Sequence, residues 1–270
     1  DVYNRGEQGI YISNIMEEGI LLQGNNFWVP VHDKDKVLYI NAAGKSGIES
    51  GGWSYGAQFG DLNNDGYVDL YVANGYISGK KGTSYWYDYT KITGGHAAII
   101  SDLKNWPAMD GRSQSGYQQN KIWINNGSGH FRDVANYVAE PESFDSRAVA
   151  FADLWNRGTT DVIVANQNNR LVVYKNHTDP DNHWIAFELQ GIKGNLSAIG
   201  ASVELKWNQE VQTRIVNGGI GFCSQNQRRL LFGLGKNPQV DRAVVTWPDG
   251  KKQILENPQI DTINRITEIP

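Results

Sequence analysis

Residues 59–76 read FGDLNNDGYVDLYVANGY, an acidic, glycine-containing loop that runs directly into an alternating apolar stretch. The pattern returns further along the chain. When AQFGDLNNDGYVDLYVANG (57–75) is aligned with VAFADLWNRGTTDVIVANQ (149–167), nine of nineteen positions are identical. A weaker copy, DVYNRGEQGIYISNI, occupies residues 1–15. The loop therefore occurs three times, opening at Asp1, Asp61 and Asp153, and each copy leads into a strand-like segment.

These repeats decide the predicted fold. Each loop and its strand are followed by a second strand-like segment, and short strands around repeated turns favour a β-propeller or a related all-β array. Three units are fewer than the roughly four to eight blades that a propeller needs. No apolar stretch precedes Asp1, unlike the other two loops. We therefore predict that residues 1–178 form an incomplete propeller, either the C-terminal part of a longer one or one piece shared between chains.

The second and third loops are further apart than the first and second, and residues 77–116 account for the excess. This stretch is rich in Gly, Ser and aromatic residues, and we expect a long insertion on one face of the array. Long loops on a rigid scaffold often carry function. Aromatic rings beside Asp and Asn suit a sugar or a protein partner, although the same rings could instead pack over the propeller and close its core. The candidate contact residues are Tyr85, Trp86, Tyr87, Tyr89 and Trp106.

Residues 179–270 show a different pattern, with cleanly alternating segments such as Ile185, Phe187 and Leu189. They predict a separate small antiparallel β-sandwich. Within it, QNQRR (225–229) favours a solvated turn over an anion site. Cys223 has apolar neighbours on one side and no His or Lys nearby, so it is predicted to be a buried structural thiol and not a reactive one.

The central loop has the spacing of a calcium site. Oxygen-bearing side chains stand at loop positions 1, 3, 5 and 9, position 7 offers its backbone carbonyl, and Gly66 at position 6 permits the sharp turn. It is not an EF-hand, because position 12 is Val72 and the following residues favour a strand. The alternative is a solvated turn rich in Asp and Asn. The predicted calcium ligands are Asp61, Asn63, Asp65, Tyr67 and Asp69.

The other two loops carry arginine where a ligand is expected, Arg5 and Arg157. A guanidinium repels a metal and could instead bind the remaining carboxylates as a built-in cation. We therefore expect one calcium ion, at the central loop, and two metal-free loops filled by arginine. The alternative is that both arginines point into solvent.

The motifs resemble known families. GDLNNDGYVDLYVANG is similar to the calcium loop of FG-GAP, or VCBS-type, repeats in integrin-like propellers. The C-terminal stretch resembles the ASPIC/UnbV module through SAIGASVEL (197–205), VNGGIGFCSQNQRRLLFGLG (216–235) and VDRAVVTWPDGK (240–251). This order of units is similar to the cartilage acidic protein family and its bacterial relatives. The resemblance covers nearly the whole chain outside 77–116. It implies a calcium-stabilised propeller in a secreted, cell-surface or periplasmic protein, with no known catalytic residues.

Composition and motifs narrow the function classes. The net charge of −4 argues against a nucleic-acid binder. No apolar run approaches the roughly 20 residues that span a bilayer. The five histidines show no triad or zinc spacing, and His96 with Asp88, Asp102 and Asp110 is the only plausible catalytic cluster. We therefore predict a non-catalytic interaction or scaffold module that binds a protein partner, including another subunit completing the propeller. The alternative is a lectin-like carbohydrate-binding module using Trp86 and Trp106.

Overall fold

The computed structural model describes residues 1–17, 24–93, 97–138, 143–192, 195–208 and 210–270. Within them the protein is all-β, as predicted, and the strands form five sheets. None of the described helices is long and apolar enough to cross a membrane.

The first three sheets are antiparallel and contain strands that follow one another along the chain. The first contains β1 (Ile10–Ile12), β2 (Asn26–Asp33) and β3 (Lys36–Asn41). The second contains β4 (Ser54–Gly60), β5 (Asp69–Asn74), β6 (Lys121–Asn125) and β7 (Phe131–Asp133). The third contains β8 (Ser146–Ala152), β9 (Asp161–Asn166) and β10 (Val172–Tyr174). Each sheet therefore includes the strand that follows one of the three repeated loops.

Short helices interrupt this array. They are α1 (Ala43–Ser46), α2 (Trp86–Thr93), α3 (Ala97–Ser101), a 3₁₀ helix at Leu103–Asn105 and α4 (Ala135–Val138). Two of the α-helices and the 3₁₀ helix lie between β5 and β6, so the insertion at 77–116 is partly helical.

Strand β5 shows how the sheets stack. Successive side chains of a strand point to opposite faces, and every residue of β5 is buried. Leu70 and Val72 join the core shared with the first sheet, whereas Tyr71 joins the core shared with the third. The second sheet is therefore covered on both faces by its neighbours in sequence.

The remaining strands form two further sheets. One contains β11 (His183–Gln190), β14 (Leu230–Gly235) and β17 (Ile263–Thr267). The other contains β12 (Ser202–Trp207), β13 (Glu210–Ile215), β15 (Arg242–Thr246) and β16 (Lys252–Glu256). Both contribute to one apolar core, in which Phe187 and Phe232 meet edge to face with their centroids 5.9 Å apart.

The prediction that this unit is purely antiparallel is wrong in one place, since β17 runs parallel to β11. Strand β16, which precedes β17, belongs to the opposite sheet, so the chain crosses the core before β17 pairs. A crossover of this kind permits a parallel pair, which a tight hairpin does not.

Candidate functional site

The three loops share one backbone geometry. Asn4, Asn64 and Asn156 each have a positive φ, at 52°, 58° and 53°. Two residues later a glycine also has a positive φ, and its N–H donates to the aspartate that opens the loop. These bonds are Gly6 N to Asp1 Oδ2 at 2.6 Å, Gly66 N to Asp61 Oδ2 at 2.9 Å, and Gly158 N to Asp153 Oδ2 at 2.8 Å. The sequence repeat is thus a structural repeat.

Side chains of asparagine join each loop to the next. Asn4 Nδ2 donates to the carbonyl of Gly66 at 2.9 Å, and Asn64 Nδ2 donates to the carbonyl of Gly158 at 2.8 Å. Both asparagines are buried. The same loop position therefore makes the same bond at two successive junctions.

A second asparagine strengthens each junction. Asn125 Nδ2 donates to the carbonyls of Val2 at 2.9 Å and Val68 at 3.2 Å. Asn176 Nδ2 makes the equivalent bonds to Leu62 at 2.5 Å and Thr160 at 3.0 Å. The three loops, which we call the loop face, are thus linked by side chains that satisfy buried backbone carbonyls.

The central loop concentrates buried negative charge. Asp61 is 1% exposed and Asp69 is fully buried. Both oxygens of Asp69 accept backbone N–H groups, from Leu62 at 2.8 Å and Asn125 at 2.9 Å. Asp61 Oδ2 accepts from Gly66, but within the described part of the chain its Oδ1 is buried without a hydrogen-bond partner. An ionised oxygen in that state indicates an uncompensated charge.

The pKa values of these carboxyls reflect the same burial. Burial raises the pKa of Asp61 to about 7, with the charge of Asp65 acting in the same direction and Arg214 opposing it. Burial and Asp61 raise the pKa of Asp69 well above its usual range. Burial also raises the pKa of Asp65. The loop therefore favours either protons or a bound cation.

The five predicted calcium ligands all lie in this loop, and their oxygen donors are of the type calcium prefers. Asn63 Oδ1 accepts the N–H of Asp65 at 3.0 Å, and Asp65 Oδ1 accepts the N–H of Tyr67 at 2.8 Å, so these two side chains close local turns. In the described residues, no three side chains of His, Cys, Asp or Glu converge as a metal-binding group. The loop has calcium-type donors and, in the described residues, two buried oxygens without a hydrogen-bond partner, Asp61 Oδ1 and Asn64 Oδ1, but not a converged acidic set.

The prediction that an arginine fills the third loop is confirmed in part. Arg157 Nη2 lies 2.6 Å from Oδ1 of the buried Asp161, so the guanidinium does act as a built-in cation. The guanidinium does not take Asp153. That carboxylate instead lies 3.4 Å from Nη1 of Arg229, which comes from the C-terminal unit.

The prediction that an arginine fills the first loop is wrong. The carboxylate of Asp1 accepts backbone N–H groups of its own loop, and exposed Arg5 lies over the ring of Tyr3 at 5.3 Å. Loop position 9 is Gly9 here, so no second carboxylate holds the guanidinium in the loop.

The C-terminal unit docks directly on the loop face. Gln212 Nε2 donates to Asn4 Oδ1 at 3.0 Å and to the carbonyl of Gly66 at 2.8 Å. Gly235 N donates to the carbonyl of Asn64 at 2.8 Å. A side chain at Gly233 would place its Cβ 2.1 Å from Asp61 Oδ2, so the backbone of β14 lies against the candidate metal loop.

The segment predicted as a solvated turn, 225–229, does expose Gln225, Gln227 and Arg228, but it is also part of this interface, which the prediction did not include. Phe151 N donates to Asn226 Oδ1 at 2.9 Å, and Asp153 N donates to Gln227 Oε1 at 2.8 Å. Gln227 N returns a bond to the carbonyl of Phe151 at 2.9 Å. The polar side chains thus cover the edge of β8.

Cys223, predicted to be buried, is exposed. Neighbouring polar residues make the contacts with the repeats: Ser224 Oγ lies 3.2 Å from Gln58 Nε2. The apolar residues next to the cysteine gave no indication that this segment contacts the repeats through its polar groups.

The five aromatic residues of the insertion are brought together but not all exposed. Tyr89 contacts the rings of Tyr85, Trp86 and Trp106 with centroid distances of 6.0, 5.4 and 5.0 Å. Tyr85 and Trp86 are buried, and Trp86 Nε1 donates to Ser115 Oγ at 2.8 Å. Of the two alternatives given by the sequence, inward packing therefore applies to Tyr85 and Trp86, whereas Tyr89 is half-buried and Tyr87 and Trp106 are exposed.

The three aspartates of the candidate catalytic cluster, all among the described residues, do not form one site. Asp88 pairs with Lys91 and Arg112, and Asp102 caps the 3₁₀ helix by accepting the N–H of Lys104 at 3.0 Å. Asp110 is an exposed side chain near Arg112. His96 lies outside the described residues.

Sequence reasoning missed Gln212 and Arg214, and it did not identify the carboxylate partners of Arg229 in QNQRR, because these partners lie far away in the chain. Asn125 and Asn176 carried a usable signal. Each ends the second strand-like segment of its repeat, in KIWIN and VVYKN.

Comparisons with known proteins support the resemblance predicted for the C-terminal unit. A family model described as ASPIC and UnbV matches residues 191–269, so the chain carries an ASPIC/UnbV domain there. The chain is also 28% identical over 134 residues to cartilage acidic protein 1 of Homo sapiens, which covers 48% of this chain and 20% of that protein. The chain thus spans about a fifth of the length of that curated relative. The family match does not extend to the repeats.

Proposed function

We propose that the first three sheets are blades of a β-propeller and that the protein is a non-catalytic interaction or scaffold module. The repeated asparagine junctions support the propeller, since a constant junction between successive sheets imposes a constant rotation, as propeller architecture requires. The outer strand β3 also exposes Val37, Leu38, Tyr39 and Ile40. An apolar strand in that state suits a further blade, from the same chain or another subunit.

The observation that carries the scaffold proposal is the hydrogen-bonded loop face. It connects all three repeats to each other and to the ASPIC/UnbV domain through buried side chains. Such a network favours one rigid body that presents surfaces. Two of the described histidines, His32 and His183, each pair with a single carboxylate at the surface, which is an arrangement without a nucleophile.

We also propose that the central loop binds one Ca²⁺. The ion would be held by Asp61, Asn63, Asp65, the carbonyl of Tyr67 and Asp69. Its charge would compensate the unpartnered oxygen of Asp61 and the neighbouring carboxylates. Calcium at this place would stabilise the loop and supply no reactive group. Sites of this kind suit the high calcium outside the cytosol, so we propose a secreted, cell-surface or periplasmic location.

The insertion offers the interaction surface. Tyr87 and Leu103 are 71% and 73% exposed, and Trp106 is 36% exposed. Exposed aromatic and aliphatic side chains of this kind favour a protein partner. A glycan is the second candidate, supported by exposed Trp106, but burial of Trp86 removes one wall of the groove that the alternative required.

Site-specific photo-crosslinking in the producing organism tests this surface. A photoreactive residue at Tyr87 should capture a discrete partner, whereas the same residue at Tyr137, equally exposed on α4, should not. Equal capture at both positions would contradict the proposal. Binding on a glycan array that is lost in Trp106→Ala would favour the carbohydrate alternative.

A further inference from the structure

Arg214 of the ASPIC/UnbV domain faces the candidate calcium loop. It lies two residues after Gln212 on β13, so both side chains project from the same face of the strand. Gln212 binds the loop through the carbonyl of Gly66, and Arg214 Nε donates to Gln212 Oε1 at 3.3 Å. The guanidinium lies over the ring of Phe232 at 5.0 Å. The strand thus directs a cation towards the loop.

The charges on the two sides are incompletely matched. In the described residues, Arg214 Nη2 and Asp61 Oδ1 are both buried and both without a hydrogen-bond partner. Arg214 interacts electrostatically with Asp61 and with Asp69, yet no salt bridge joins it to either of these carboxylates. A cavity of about 230 Å³ is lined by Arg214 together with Phe59, Gly60 and Val68. The arginine is therefore close enough to act on the carboxylates without occupying the loop.

The third loop provides an internal comparison. There the arginine belongs to the loop itself, and Arg157 binds Asp161 directly at 2.6 Å. In the central loop position 5 is Asp65, and the arginine comes from another domain and stays outside. The guanidinium of Arg157, in direct contact with its carboxylate, takes the place of a metal ion. The guanidinium of Arg214, which does not touch the carboxylates, leaves room for a metal ion but repels it.

We propose that Arg214 is the counter-cation of the calcium loop, through which the ASPIC/UnbV domain weakens Ca²⁺ binding at Asp61 and Asp69. The inference rests on the proposed calcium site. Arg214 and Ca²⁺ stabilise the same carboxylates and repel each other. Each therefore weakens the favourable interaction of the other with these carboxylates. By linkage, Ca²⁺ also weakens the electrostatic attachment of the domain to the loop face by the same factor.

The expected effect is large enough to measure. A unit charge acting on a divalent ion across a partly buried gap changes the ion's affinity by roughly tenfold or more. Arg214→Met keeps much of the apolar stem over Phe232 and removes the charge. It should tighten Ca²⁺ binding about tenfold or more, measured by calorimetry on chelator-treated, full-length chain. A variant that merely loosened the structure would bind calcium more weakly.

Thermal unfolding gives a second readout. With EDTA, Arg214→Met should melt below the wild type, because the carboxylates lose their counter-cation. With Ca²⁺ the difference should narrow, so the calcium-induced rise in Tm is larger in the variant. Arg214→Lys keeps the unit charge on which the effect depends and should bind Ca²⁺ within about threefold of the wild type. If Arg214→Met does not fold, Arg214→Gln tests the same prediction.

Arg229→Met is the matched control. Arg229 also belongs to the ASPIC/UnbV domain, is nearly buried and lines the same cavity, but its guanidinium pairs with Glu188 and with Asp153 of the third loop and not with a carboxylate of the central loop. Its loss should lower Tm and leave Ca²⁺ affinity unchanged.

The outcomes separate the two proposals. If the wild type binds Ca²⁺ and Arg214→Met binds it equally or more weakly, the counter-cation role is overturned and the calcium site stands. An equal gain in Arg229→Met would also overturn it, because the effect would then not be specific to this loop. If neither the wild type nor Arg214→Met binds Ca²⁺, both proposals fail.

Discussion

Asn125→Ala tests the junctions on which the loop face depends. Asn125 is 1% exposed, and its Nδ2 donates to the carbonyls of Val2 and Val68. Its Oδ1 accepts the N–H groups of Gly127 at 3.0 Å and Gly129 at 3.3 Å. Alanine keeps the backbone bond to Asp69 but leaves two carbonyls and two N–H groups without this partner.

The magnitude follows from these four bonds. A hydrogen bond contributes about 1 kcal/mol net, and a buried group left unsatisfied costs about 1–3 kcal/mol. Some of the freed groups will regain water, so we expect a loss of about 3–5 kcal/mol in the free energy of unfolding. Urea denaturation, followed by tryptophan fluorescence, should show a lower midpoint with an unchanged slope.

The adjacent Asn126→Ala is the matched control. Asn126 is exposed, and its side chain bonds only locally to Ser128, at 3.0 Å to the backbone N–H and 2.7 Å to the hydroxyl. It should cost less than about 1 kcal/mol. A difference of under 1 kcal/mol between the two variants would refute the reasoning, because the junction would then contribute nothing beyond a surface turn.

Three further predictions concern the loops. Arg157→Ala should lower the free energy of unfolding by about 2–3 kcal/mol in urea, since it strands a buried carboxylate, whereas Arg5→Ala should cost under about 0.5 kcal/mol; equal losses would contradict the assignment. The pKa of Asp61 is raised to about 7, so in EDTA the contribution of its protonated carboxyl to the free energy of unfolding is complete below the ordinary pKa near 4 and is lost as pH rises through 7. Asp61→Asn should flatten this dependence of stability on pH. A wild-type stability that rises with pH over this range would disprove the prediction. Gly233→Ala should lower Tm strongly, because its Cβ would overlap Asp61, while Gly218→Ala, with ordinary contacts, should not; similar Tm values would refute the close approach.

Several features could be predicted from sequence because they are local. The three loops repeat aspartate, asparagine and glycine at fixed spacing, and these residues set a turn whose geometry depends on few neighbours. The alternating pattern after residue 179 likewise reports which face of each strand is buried. The all-β fold and the shared loop geometry therefore followed from the residues.

Other features depend on the tertiary arrangement. The carboxylate of Asp153 pairs with Arg229, which lies 76 residues further along the chain, and not with the guanidinium of Arg157 in its own loop. Trp86 is buried because the insertion folds back on Ser115, which composition does not show. The parallel pairing of β17 depends on which sheet the chain has just left. Such contacts join distant segments, so no window of sequence contains both partners.

Counting bound calcium tests the central claim most directly. Calorimetry of the chelator-treated chain with Ca²⁺ raised to about 1 mM, the range of extracellular sites, and native mass spectrometry for the count should find one bound ion. That ion should be absent in Asp65→Ala, whose folded state circular dichroism would verify. A count of zero in the wild type would contradict the calcium loop, and a count of three would contradict the division between one metal-binding loop and two metal-free loops.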